Sequence, residues 1–126
     1  MNYEVITIKG EEYKLRLRAV DQIAVTKKLG KSLLEVVAQM QELENPIQAF
    51  DLEVLLIILA HSLKAYHKDI KEKDVFDLYD AYVDEGNNMF ELFQVIMKVL
   101  SVSGVLPDIE AIKEQQQEEV KGNVED

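Results

Sequence analysis

Tyr13, Leu15 and Leu17 alternate with Lys14, Arg16 and Arg18, the two-residue period of a strand with one buried face. The run 3–8 is rich in Val, Ile, Thr and Tyr, and Lys9-Gly10-Glu11-Glu12 separates it from the first. Together they predict an N-terminal β-hairpin whose turn draws its backbone freedom from Gly10. A hairpin alone is marginally stable in water, so it must lie on something else. From about Asp21 the period becomes helical. Ile23, Ala24 and Leu29 form the inward positions of a first helix, and Gly30 is placed to close it in a left-handed cap. Ser32 with Glu35 three positions on fits a capping box for a second helix. Its apolar stripe is Leu33, Val36, Val37, Met40 and Leu43, and Asn45-Pro46 ends it, because the residue before a proline is pushed out of the helical region.

Asp51 is a cap for a third helix with inward positions Leu52, Leu55, Leu56, Leu59, Leu63 and Tyr66, widened by Val54, Ile57 and Ile58. A helix apolar around most of its circumference belongs in the middle of a domain. A fourth helix over 73–85 turns Val75, Leu78, Tyr79, Tyr82 and Val83 inward and stops at Gly86. A fifth starts near Asn88 and buries Met89, Leu92, Phe93, Ile96, Val99 and Leu100, with Gly104 and Pro107 marking its end. After Pro107 the chain turns to Glu, Gln and Lys, and seven acids against two lysines give residues 107–126 half of the chain's net negative charge. That segment is expected to be a mobile or transiently helical acidic tail. The expected fold is mainly α: a β-hairpin packed on a compact bundle of about five helices over residues 1–106, followed by the tail.

At 126 residues the chain is one domain. With 48% hydrophobic residues and no cysteine it is expected to fold on its core alone, without disulfides or zinc–thiolate sites. A formal charge of -10 argues against nucleic acid as a partner, since phosphate binding needs a clustered positive field. A DNA-binding helix-turn-helix over 21–43 also fails, because its second helix carries Glu35 and Glu42 against Lys31. The start Met1-Asn2-Tyr3-Glu4 has no basic region followed by an apolar one, so no export signal is expected. The most apolar stretch, Leu52–Leu63, holds nine apolar residues of twelve, well short of the roughly 20 that a membrane helix needs. A membrane is not an expected partner.

Gly30-Lys31-Ser32 resembles the end of a phosphate-binding loop, but position 25 is Val where the loop needs its first glycine. A helix stop followed by a helix cap accounts for the same residues. Asp80, Asp84, Gly86 and Glu91 miss calcium-loop spacing: with Asp80 first, Tyr82 takes a ligand position and Gly86 falls one place late. His61 and His67, six apart, face different directions on a helix and are expected on its surface, His67 near a helix end that favours a protonated ring. No metal, cofactor or catalytic residue is assigned, and the chain is not expected to be an enzyme. Lys14, Arg16 and Arg18 read as the solvated side of an edge strand, with binding of an acidic partner as the alternative. Helical spacing makes most of the set Tyr79, Tyr82, Phe90 and Phe93 core.

The hairpin NYEVITIKGEEYKLRLR, then KKLGKSLLEVV, a central leucine-rich helix, DVFDLYDAYVDEG and a last helix closing on VLSVSG resemble, over residues 1–105, the tail assembly chaperones of long-tailed bacteriophages and prophages. The resemblance implies a non-enzymatic helper in the host bacterial cytoplasm, absent from the mature virion. Such a helper coats the helical tape-measure protein and keeps it soluble until tail-tube subunits polymerise. An acidic, cofactor-free helical module with apolar grooves suits that task. The competing class is a permanent subunit of the head-to-tail connector or tail-completion ring. Leu33, Val37 and Met40 are the choice for partner contact, since methionine adapts to varied surfaces; the same three fit the core equally well. A homo-oligomer strung along the extended partner is expected. The resemblance also implies a longer form made by a backward ribosomal slip, whose added part recruits the tail-tube protein, and Val120-Lys121-Gly122 is encodable by a slippery heptamer.

Overall fold

The computed structural model describes residues 2–42 and 50–106, the side chains of residues 40–42 aside. An antiparallel hairpin, β1 (Glu4–Ile8) and β2 (Glu11–Leu15), is followed by α1 (Ala19–Leu29), α2 (Leu33–Glu42), α3 (Leu52–Leu63), α4 (Asp74–Asp84) and α5 (Met89–Val102). The expected mainly α architecture of a hairpin and five helices is thus observed. Leu43, Asn45-Pro46, Pro107 and the acidic tail lie outside the described residues.

The hairpin turn is shorter than the spacing predicted. Ile8 pairs with Glu11, so Glu11 and Glu12 belong to β2 and only Lys9-Gly10 turns the chain. Both turn residues have positive φ, 51° and 76°, the combination that matches the twist of paired strands. Lys9 therefore sits where a β-carbon is strained, and its backbone N–H donates to Glu85 Oε1 beyond α4. Lys9→Asn keeps that backbone donor and supplies a residue that tolerates the conformation. It is expected to stabilise the fold by about 0.5–1 kcal/mol, read as a raised urea midpoint at unchanged slope.

Ile6, Ile8 and Leu15 are buried, laid by β1 on α4 and α5 and by β2 on α3, and Leu17, just beyond β2, is buried as well. Backbone polarity is matched across the same seams. Lys14 N–H donates to His67 Nε2 at 2.9 Å and Arg16 N–H to the Ser62 carbonyl at 3.0 Å. Leu17 N–H donates to Ser103 Oγ at 2.8 Å. His67 is half-buried, accepts this hydrogen bond at Nε2 and packs its ring against Tyr13 with 5.3 Å between centres.

Of the predicted basic row, Lys14 is exposed on β2 as expected, while Arg16 and Arg18 lie beyond the strand, half-buried and held by other parts of the fold. Lys14 Nζ lies 4.9 Å from the Tyr3 ring centre. Arg16 Nη1 donates to the carbonyls of Asn2 at 2.7 Å and Val102 at 3.3 Å. Arg18 grips Asp21 through Nε at 2.8 Å and Nη2 at 3.2 Å, and its backbone N–H donates to the same carboxylate at 3.0 Å. The hydrogen bond to Asp21 holds the guanidinium above its ordinary pKa.

Asp21 and Val25 are the buried residues of α1. One turn apart, they share a face, while Ile23, about 200° round the helix from Asp21, is 58% exposed. Ile23 was expected inside; the tertiary contact runs through a carboxylate instead. Asp21→Ala removes both the helix-start acceptor and the partner of Arg18, and should cost about 2–3 kcal/mol. Asp21→Asn, which keeps the acceptor, should cost less in the same denaturant titration.

α3 is central, as its apolar circumference required: nine of its twelve residues are buried, and it touches α1, α4, α5 and β2. Asp51 Oδ1 accepts from Val54 N–H at 2.9 Å, the cap expected, and Asn88 Oδ1 accepts from Glu91 N–H at 3.0 Å at the expected start of α5. Leu92, Ile96, Val99 and Leu100 bury the inner face of α5. On α4 the buried residues are Val75, Ala81 and Tyr82. Val83, expected inside, is exposed, since it lies about 100° beyond Tyr82 and shares the outer face of Phe76, seven residues away.

Candidate partner-binding groove

α4 begins where α3 ends: Glu72, just ahead of α4, places Oε1 3.6 Å from Nε2 of His61 in the last turn of α3. The two helices therefore run back along one another, and the ridges at spacing four leave a groove between them. Leu52, Leu56, Ile57 and Ala60 form the α3 wall, and Val75, Phe76 and Tyr79 the α4 wall, of a groove of about 870 Å³. Phe76 is 63% exposed, because α4 turns Val75 and Tyr82 to the core and leaves its neighbour on the lip. Lys28, Glu53, Glu72, Lys73 and Asp80 rim the groove. An apolar trough with a charged rim is the shape that takes the apolar face of a helix.

His61 belongs beneath this site and not on the surface where spacing alone put it. Its side chain is 4% exposed and its Nδ1–H donates to the Ile57 carbonyl at 2.8 Å. The Nε2 edge is thereby turned toward Glu72, whose other oxygen lies 3.9 Å from Lys28 Nζ. Nothing in the sequence spacing marks this buried ring, since its place depends on a loop returning over the end of α3.

Of the three contact residues chosen from the sequence, the described side chains are Leu33 and Val37. Leu33 is 5% exposed and belongs to the core, Val37 is half-buried, and the side chain of Met40 lies outside the described residues. On α2, Leu34 is a large apolar side chain turned outward, 67% exposed. It lines a smaller groove of about 470 Å³ with Ile23 and Val105. A third groove, of about 540 Å³, lies between the hairpin tip and α4, and carries Asp74 and Asp77 on one wall.

No family model, curated protein or solved structure matches the chain. Gly30 is the left-handed cap of α1 at φ 74°, and Ser32 Oγ accepts from Glu35 N–H at 3.1 Å, so the glycine and the serine of the phosphate-loop lookalike each serve a helix end. Of the aromatic set, Tyr82 is buried, Tyr79 and Phe93 are partly buried and Phe90 is exposed, in keeping with a mostly core role. Among the described residues, no group of three His, Asp or Glu is placed to hold a metal ion, and no helix is long and apolar enough to cross a membrane.

Proposed function

We propose that this protein is a tail assembly chaperone of a long-tailed bacteriophage or prophage. It binds apolar helical segments of the tape-measure protein in the α3–α4 groove and keeps that protein soluble in the host cytoplasm until the tail tube polymerises. The observation that carries the reading is the groove itself, seven apolar or small side chains from two helices under a charged rim. The resemblance over residues 1–105 supplies the identity of the partner. A charge of -10 opposes self-precipitation of a complex that covers an apolar client. The longer, frameshifted form would bring the tail-tube protein to the same complex; its slip site, Val120-Lys121-Gly122, lies outside the described residues.

Co-expression with the tape-measure protein tests the reading, with the client expected in the soluble fraction only when this chain is present. An unchanged soluble fraction removes it. Mass spectrometry of purified particles separates the competing class, since a stoichiometric subunit in the particle is a connector or tail-completion component and not a chaperone.

A further inference from the structure

The charges around the α3–α4 groove are segregated. Because Glu72 meets His61 at the end of α3, Lys73 and Lys28 lie at that end, while Glu53 in the first turn of α3 and Asp80, two turns into α4, rim the opposite end. Glu53, Asp80 and Lys73 are exposed, and among the described residues none of them makes an ion pair; the Lys28–Glu72 pair is long at 3.9 Å and exposed on both sides. One end thus presents two uncompensated carboxylates. The other presents two ammonium groups against one carboxylate, with the apolar floor between. Rim charges of this kind set register and orientation more than raw affinity.

We propose that the groove reads the polarity of its client: it takes an amphipathic helix whose apolar stripe is flanked by basic residues at the end lying between Glu53 and Asp80, and by acidic residues at the end lying against Lys28 and Lys73. This rests on the groove reading above and adds the chemistry of the segment that fits. The apolar stripe supplies affinity by filling the trough between Ile57 and Phe76. The flanking charges fix which way the segment lies, so that successive chaperones on one extended client are laid down in the same sense.

The test uses the full chain and four synthetic helical peptides with one common leucine stripe, flanked by Lys at one end and Glu at the other, by Lys at both, by Glu at both, or by Gln at both. The Lys/Glu peptide is expected to bind roughly tenfold or more tighter than the Glu/Glu peptide, with the gap closing in 1 M salt. A nitroxide on its Lys end should broaden the backbone signals of Glu53 and Asp80 and spare those of Lys28 and Lys73. In the Glu53→Lys/Asp80→Lys protein the preference should pass to the Glu/Glu peptide. Equal affinities for all four peptides, or broadening at both ends alike, overturn the polarity and leave the groove reading standing. If no peptide binds, or broadening falls on Ile23 and Leu34, the groove reading falls as well. Without peptide, Phe76 signals that shift with protein concentration would make a second copy the occupant. Signals that shift with Ile112→Asp would make it the chain's own tail, and either result overturns the proposal.

Discussion

Phe50→Ala is expected to lower stability by about 3–5 kcal/mol, the range for truncating a buried phenylalanine, and to bring the thermal midpoint down by roughly 15 °C or more. Phe50 is fully buried. It stands directly before Asp51, the cap of α3, and meets Phe93 of α5 edge to face at 5.4 Å between ring centres. Alanine there leaves a void between the entry to the central helix and α5. Against a total stability of about 5–15 kcal/mol, the loss removes much of the margin that holds the domain folded. Phe50→Leu, which retains most of the volume, should lose less than half as much. A double-mutant cycle with Phe93→Leu should show a coupling of about 0.5–1.5 kcal/mol, the surplus of an aromatic pair over simple area. A change below about 1 kcal/mol for Phe50→Ala would mean that this ring is not part of the core.

Phe76→Asp should act in the opposite way, leaving the fold intact and abolishing the holding of the tape-measure protein. The side chain is mostly exposed, so its replacement should change stability by no more than about 0.5 kcal/mol. In the complex it would be covered by the client, and a carboxylate at the lip would be buried against apolar atoms without a partner. Affinity is expected to fall about a hundredfold, the scale of a central aromatic contact. Phe76→Leu should recover most of the binding. Leu34→Asp is the matched control, equally exposed but on the α1–α2 groove, and should leave binding unchanged. Loss with Leu34→Asp and none with Phe76→Asp would move the site to that second groove.

The sequence by itself determined the order of the elements and several of their ends, though not the two-residue length of the hairpin turn. The alternation at Tyr13, Leu15 and Leu17, the capping residues Ser32 and Asp51, the helix start near Asn88 and the stop at Gly30 each act through the backbone within a few residues, so they are legible one after another along the chain. The apolar girth of α3 placed it at the centre for the same reason, since a helix without a polar face has no stable position at the surface. The apolar stripe of α5 also fixed its inward face, with Leu92, Ile96, Val99 and Leu100 buried, whereas the rotation of α1 and α4 about their own axes was decided by packing. α1 turns Asp21 inward because Arg18 satisfies its carboxylate there, and Ile23 goes to the surface in consequence. α4 commits Val75 and Tyr82 to the core, which leaves Phe76 on the lip of a groove that no run of residues announces. That groove requires two helices from separate parts of the chain to lie side by side without filling the space between their ridges. Its charged ends require the turn at Glu72 to come back over His61. Such features depend on which surfaces meet, and the pairing of surfaces is a property of the whole core and not of any local stretch.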